Sequence, residues 1–366
     1  MGQVEWDAII IGAGQAGLAT AYEMRGQGVD CVALEGRPRI GDQWRRRWDS
    51  LRLFTPARLD GLPGSRFPAA EMAYPTKDEM ADYLEAYAAE RSLPVRTGSK
   101  VLRMRRLGDG YAVDTSGGSF AARHVVIATG YDSPKIPDFA RQLPSKFKQL
   151  HAFDYRNAGQ LMGDVLVVGA GTSGVEIAVE AAESGHHTIL SGRATGEVPG
   201  ALYAFGGRIF WFYANRVATV KTPIGRKMRP LILHHGAPLI RLKMADAKRV
   251  GVERRPRVTG VKDGLVAFAD GTAASPETVV WCTGFRRDYS WVEFGIAMHD
   301  GYPAHTDGVV DGEPGLYFVG LPFQTRLASA LVGGVGEDAA SVARVIARRL
   351  ASRPAPVALT AQAALS

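Results

Sequence analysis

Two glycine signatures of the form GxGxxG, each directly after a short apolar run and each opening a helical pattern, predict an α/β protein. They further predict two Rossmann-like dinucleotide-binding domains, each three-layered, with the second inserted into the first. The first signature is Gly12-Ala13-Gly14-Gln15-Ala16-Gly17, and the second is Gly169-Ala170-Gly171-Thr172-Ser173-Gly174, 157 residues on. One such turn alone is weak evidence. Two with matching flanks point to two dinucleotides on one polypeptide, and so to electrons passed from one to the other.

The elements follow in order. Residues 7–11 (Asp-Ala-Ile-Ile-Ile) are a short apolar run, as a buried parallel strand requires. The first signature then opens a helix that runs to about Gly26, and Val29 to Leu34 reads as the next strand, ending at Glu35. Residues 36–75, rich in Gly, Pro and Arg, read as irregular. A helix is predicted over 76–91, capped by Thr76 with Glu79 three residues on. Hairpin-like strands follow within 99–123, then a strand from His124 to Ala128 closed by Thr129-Gly130.

The pattern restarts with a strand at Asp164–Val168, the second signature, a helix at Val175–Ser184 and a strand from His187 to Leu190 that leads into Ser191-Gly192-Arg193. Residues 260–281 repeat the hairpin-plus-strand block and end in Trp281-Cys282-Thr283-Gly284-Phe285. One more strand (Gly315–Gly320) and one more helix (335–350) complete the chain, and the Ala/Pro-rich tail from 351 is expected to fray. The strand at 315–320 needs a host, and the sheet of the first module is the natural one.

Each glycine of the signature has a job. The first permits the tight turn, the second lets backbone approach a pyrophosphate, and the third packs helix on strand. The helix N-terminus offers free N–H groups to phosphate. Glu35 stands 18 residues past Gly17, where a carboxylate accepts the hydroxyls of an adenosine ribose. It suits FAD or NAD and repels a 2′-phosphate. Ser191 and Arg193 occupy the matching place in the second module. A guanidinium there grips a 2′-phosphate, which assigns NADPH; the competing reading is a solvated surface arginine. The domain expectation is therefore an FAD domain over 1–155 and 286–350, an NADPH domain over 156–285 with an aromatic and basic insertion near 200–250, and a tail over 351–366.

Composition narrows the field. At 366 residues the chain holds two sizeable cores, and 46% hydrophobic with 22% charged residues is ordinary for a globular protein. The net charge of +7 is spread over scattered basic residues, which argues against nucleic acid and leaves a solvated basic surface or attraction of polyanionic cofactors and acidic substrates. The two cysteines, Cys31 and Cys282, form no CxxC, so neither a disulfide framework nor a dithiol relay is expected, and both read as small core residues. The eight histidines show no metal-ligand spacing, and no metal is expected. Neither a signal peptide nor a membrane span is indicated, and the expected location is the cytoplasm.

Further motifs carry a family resemblance over about residues 5–350. Gly41-Asp42-Gln43-Trp44 is similar to a Gly-Gly-x-Trp motif, Ser50–Pro56 includes Thr55, Ala128-Thr129-Gly130 has its partner in Cys282-Thr283-Gly284, and Gly315–Leu321 is similar to a returning strand. With the two signatures, these resemble the class B flavoprotein monooxygenases: flavin-containing monooxygenases, Baeyer–Villiger monooxygenases and YUCCA-type enzymes. The resemblance implies that Gln43, Trp44 and Thr55 lie at FAD, as do Ala128, Thr129 and Gly130, and that Thr283, Gly284, Gly320 and Gln324 join the cofactor sites. It also implies the chemistry. NADPH reduces FAD, O2 adds to give a C4a-(hydro)peroxide, and oxygen passes to sulfur, nitrogen or a carbonyl of a small organic substrate. The flavin carries that reaction, so no triad is needed. Candidate catalytic residues are Gln43, Thr55 and His151.

The family fingerprint F-x-G-x-x-x-H-x-x-x-Y/W is matched by His151 and Tyr155, while Ser145 and Phe147 depart from it. Phe54, followed by Thr55, stands near where animal-type members place an Asn. His151 is read as a structural histidine on a backbone carbonyl ahead of a hinge or nicotinamide-side contact. The aromatic and basic segment 201–245 is read first as a packed helix with some pocket lining, then as an apolar substrate pocket, and last as a membrane-surface element. Rival functions are an NADPH:FAD oxidoreductase or oxidase without oxygen insertion, and a non-catalytic dinucleotide-binding redox sensor. Oligomeric state is left open.

Overall fold

The protein is described by a computed structural model that covers residues 6–131 and 133–352; the tail expected to fray lies outside the described residues, apart from 351 and 352. Two sheets, each built on a run of parallel strands, organise the chain. The first takes Trp6–Ile11 (β1), Cys31–Leu34 (β2), Val95–Arg96 (β3), Val101–Leu107 (β4), Gly110–Thr115 (β5) and Gly118–Ile127 (β6). The second takes Lys148–His151 (β7), Val165–Val168 (β8), Thr188–Ser191 (β9), Glu253–Arg255 (β10) and Thr278–Trp281 (β11). The chain then returns to the first sheet with Leu316–Phe318 (β12), which pairs in parallel with β6.

The first sheet runs β12-β6-β1-β2-β3 in parallel, with Val309–Val310 and then His305–Thr306 added antiparallel beyond β12, and β1 and β2 are apolar because both faces are covered. On one face lie the helices Gln15–Gly26 (α1) and Val335–Ala351, which pack on each other. On the other lies the antiparallel meander β4-β5-β6, where Met104, Val113 and Val125 share a buried cluster with Ile9, Ile11 and Phe318. β6 is one ten-residue strand that serves both layers, rather than a hairpin strand followed by a separate strand. Its first half pairs with β5 and its second with β1 and β12.

The second sheet runs β10-β9-β8-β11-β7, all parallel. β8 and β11 are buried along their whole length. β7 precedes the expected boundary at 156, so the second sheet draws on chain that the sequence placed in the first domain. Lys148-Gln149-Leu150-His151 has one aliphatic residue and an edge position, so it carries no apolar run to betray it.

Helix Lys77–Glu90 is set by the predicted capping box. Thr76 Oγ1 accepts from Glu79 N at 3.2 Å, and Glu79 Oε2 accepts from Thr76 N at 2.8 Å. The helix after the second signature spans Thr172–Glu183, three residues earlier than its apolar pattern suggests, because its first turn is built from the signature itself. No helix of the described residues is long and apolar enough to cross a membrane.

Candidate functional site

The two glycine turns are superposable in their constraints. Gly12 has φ of +102° and Gly169 of +115°, both in the region that disfavours side chains. A Cβ on Gly12 would lie 2.6 Å from the Ala128 carbonyl oxygen, and one on Gly169 would lie 2.3 Å from that of Cys282. The Ala128-Thr129-Gly130 and Cys282-Thr283-Gly284 motifs are thus the backbone walls against which each turn is pressed. Ala128 N donates to Ile11 O, and Cys282 N to Val168 O, in the same register.

The middle glycines differ from their neighbours. Gly14 and Gly171 cap the two helices, and a Cβ on either would meet nothing within 4 Å. Each therefore faces an open approach to a helix N-terminus, which is the cradle that a pyrophosphate needs. Thr172 and Ser173 extend this cradle with half-buried hydroxyls that make no hydrogen bond to the described residues. Gln15 opens the first helix in the equivalent place, whereas Ala16 is buried and faces inward to Gly320.

The strand ends diverge. Glu35 is half-buried, and its carboxylate accepts from Ala13 N and Arg37 N, both at 3.0 Å, which holds it against the first turn. Arg193 is exposed and makes no hydrogen bond or ion pair with the described residues. Ser191 does not share that setting. It is wholly buried and its hydroxyl donates to Pro256 O at 2.6 Å, so it ends β9 as a structural residue rather than facing a ligand. Arg254 on β10 is a residue that the sequence reading missed. Its guanidinium donates to Leu190 O at 2.9 Å and Gly192 O at 2.7 Å, bracing the loop that carries Arg193.

The carboxyl edges of the two sheets meet. Tyr131 follows Thr129-Gly130 and Phe285 follows Thr283-Gly284, and their rings lie 6.4 Å apart. Pro134 pairs with Phe285 across this seam. Gln43 spans the first module's side of it, donating to Tyr131 O at 2.9 Å and accepting from Arg37 at 2.6 Å, with Trp44 half-buried beside it. Thr283 donates to the carbonyl of Lys135.

His151 is buried, accepts from Phe153 N at its Nδ1 and, with the proton therefore on Nε2, donates to Gly284 O at 3.0 Å. Burial holds its pKa below the ordinary histidine value. It is a neutral clasp between β7 and the Cys282-Thr283-Gly284 loop, as the structural reading expects. Gln324 is also internal. It donates to Phe318 O at 2.8 Å and shapes the loop after β12, in which buried Phe323 adopts a strained φ of +48°.

Thr55 is buried and donates to Asp60 Oδ1 at 2.5 Å. Asp60 is fully buried, its second oxygen has no partner among the described residues, and burial pushes its carboxyl up to about 7 against the opposing Thr55 bond. Nothing in the sequence around Asp60 marks it out.

The segment between β9 and β10 packs on this region: a Cβ on Gly206 would lie 2.5 Å from the Arg58 guanidinium, and one on Gly207 3.0 Å from Leu59. Tyr203 stacks on Phe210 at 5.2 Å, and Phe210 and Ala214 share a cluster with Val198 and Ala328. Ala218 and Val220 bond the backbone of Leu327 and Thr325. Helix Pro223–His235 follows, with Ile224 and Leu231 exposed. Packed helix is therefore only half of the description. Residues 198–245 hold eight basic residues and no acidic one, leaving 36 basic against 37 acidic over the rest. The basic surplus is local, not scattered as composition suggested.

The two cysteines are free. Burial pushes both thiols up to about 12, Cys31 with help from Asp30, so neither is a thiolate at neutral pH.

The profile of the pyridine nucleotide-disulphide oxidoreductase family matches residues 9–200. An uncharacterized CzcO-like oxidoreductase of Geobacillus kaustophilus is 38% identical over 337 residues, covering 91% of this chain and 96% of its own. A probable indole-3-pyruvate monooxygenase of Arabidopsis thaliana is 28% identical over 383 residues, covering 93% of this chain and 86% of its own. Among solved structures, a flavin-containing monooxygenase from Stenotrophomonas maltophilia is similar with a TM-score of 0.78 at 25% identity, covering 95% of this chain and 100% of that one.

Proposed function

Since the chain belongs to the pyridine nucleotide-disulphide oxidoreductase family, we propose that it is an FAD-dependent, NADPH-consuming monooxygenase acting on a small organic molecule. The observation that carries this reading is the duplicated turn. Gly14 and Gly171 each leave a helix N-terminus open, at sheet edges that face one another. Monooxygenase relatives over nearly the whole chain support the same reaction class.

The residues fit the two groups. Gly12, Gly14 and Gly17 would hold the FAD pyrophosphate, with Glu35 on its ribose and Gln43, Trp44, Thr129, Gly130 and Gly320 around it. Gly169, Gly171, Thr172, Ser173 and Gly174 would hold NADPH, with Arg193 on its 2′-phosphate and Gly284 near the seam. FAD, when bound, takes two electrons from NADPH and hands them to O2, whose atoms go to substrate and water.

The chain's own part is to bind, orient and exclude water. His151 fixes the Gly284 loop at the second edge, and Gln43 fixes the Tyr131 loop at the first. Gly206 and Gly207 pack on Arg58 and Leu59 beside the buried Thr55 and Asp60. Disulfide reduction, which the family name suggests, is disfavoured by two thiols that desolvation pushes up to about 12, with Cys31 buried and Cys282 half-buried.

The test is a balance of NADPH lost, O2 consumed and H2O2 released, with sulfides, amines and ketones offered in turn. A monooxygenase shows a substrate that suppresses H2O2 and gains one oxygen atom. Equal NADPH loss and H2O2 release with every compound would make it an oxidase instead.

A further inference from the structure

Arg47 lies in the seam between the two sheets, and its charge is unanswered. It follows Trp44 by three residues, and its guanidinium sits over the rings of Phe285 at 5.3 Å and Phe153 at 5.7 Å. Phe153 follows β7 and Phe285 follows β11, so a residue of the first module is held by the carboxyl edge of the second. Among the described residues, no carboxylate lies within ion-pair reach of Arg47 and its guanidinium makes no hydrogen bond.

Its charged neighbours have its own sign. Burial above all, then Arg37 and Arg156, bring it down to about 10, which leaves it fully charged at neutral pH. Arg37 is tethered to Gln43, and Arg156 donates to the carbonyls of Phe153 and Tyr155. Arg47 alone of the three has no guanidinium donor engaged. A half-buried guanidinium beside two like charges is unfavourable unless an anion joins it. Its planar fork suits phosphate oxygens. With Arg37 and Arg156 near it, the local positive charge matches the two charges of a pyrophosphate better than the single charge of a carboxylate.

We propose that Arg47 is an anion-binding residue that takes the pyrophosphate of a dinucleotide lying in the seam between the two glycine turns. This rests on the reading of the protein as a binder of two dinucleotides. The ligand chemistry is the same whether FAD or the nicotinamide dinucleotide supplies it, and binding measurements separate the two.

The experiment compares wild type with Arg47→Gln for flavin retained on purification, FAD dissociation constant, and NADP+ and NAD+ dissociation constants by calorimetry. The variant should weaken one dinucleotide roughly 10- to 100-fold, the loss expected for a charge-assisted contact. Weaker FAD assigns the site to FAD. NADP+ and NAD+ weakened equally assign it to the nicotinamide dinucleotide, whose pyrophosphate both share. Unchanged affinities overturn the proposal, and so does a loss for NADP+ alone, which would mean that Arg47 reads the 2′-phosphate. If Arg47→Gln does not fold, Arg47→Lys keeps the charge over the rings and is read in the same way, with a smaller loss. Wild type that binds neither dinucleotide would defeat the functional reading and this inference together, whereas intact wild-type binding with an indifferent variant defeats this inference alone.

Discussion

Gly17 packs so closely on Gly12 that a Cβ at Gly17 would lie 1.8 Å from the Gly12 carbonyl oxygen, and Gly174 repeats this on Gly169 at 1.7 Å. Helix and strand are pressed together here with no room for a methyl group. Gly14 and Gly171, two and three residues away from these contacts, have open space instead.

The two kinds of glycine should therefore separate by mutation. Gly17→Ala and Gly174→Ala are expected to destabilise the fold by about 2–4 kcal/mol through overpacking. Gly14→Ala and Gly171→Ala are expected to melt within about 1 kcal/mol of wild type, since their backbone angles suit alanine, yet lose FAD and NADPH binding respectively. Thermal melts beside flavin content and NADPH titration check both halves. Retained cofactor in Gly14→Ala would contradict the placement.

Arg193 should discriminate between nicotinamide dinucleotides. Arg193→Ala is expected to raise the KM for NADPH roughly 10-fold or more and to leave that for NADH unchanged, because only a 2′-phosphate needs the guanidinium. Steady-state kinetics with both coenzymes measure it. An unchanged KM for NADPH would return Arg193 to the status of a solvated surface residue.

The parts of this fold that were legible in the sequence are those set by local pattern. β1, β8 and both glycine turns announce themselves through apolar runs ended by glycine, and the Thr76–Glu79 cap through its three-residue spacing. β7 was not legible, because an edge strand with one aliphatic residue has no periodicity. Ser191 was misassigned for a related reason: its spacing matches a ribose contact, but only the tertiary position of Pro256 shows that its hydroxyl turns inward. Asp60, Arg254 and Arg47 take their meaning from partners far along the chain, which no local pattern encodes.

The cysteines should prove dispensable. With both thiols pushed up to about 12 by burial, alkylating reagents at neutral pH should leave NADPH oxidation intact. A Cys282→Ala variant is expected to keep NADPH oxidation within about 2-fold of wild type, a difference worth well under 1 kcal/mol. A disulfide reductase would lose activity on the same treatment, so loss of turnover that tracks thiol modification would contradict the account.

Asp60 should make stability fall with pH. Its folded pKa of about 7 lies above the ordinary 3.8, so between those values the folded state holds a proton that the unfolded chain has released. The stabilisation is complete below the unfolded value and is lost as pH rises through about 7. Asp60→Asn should remove this component, worth about 2–4 kcal/mol between pH 4 and pH 8. Denaturant melts of both proteins across that range test it; parallel pH profiles would show that Asp60 is ionised throughout.

The central claim, that one polypeptide brings an FAD and an NADPH together across the seam of its two sheets, is tested most directly by mixing NADPH with the flavin-loaded protein under anaerobic conditions and watching the visible flavin band. The account predicts bleaching with one NADPH consumed per flavin, and recovery of colour when air is admitted. A bound flavin whose spectrum NADPH does not change would contradict it.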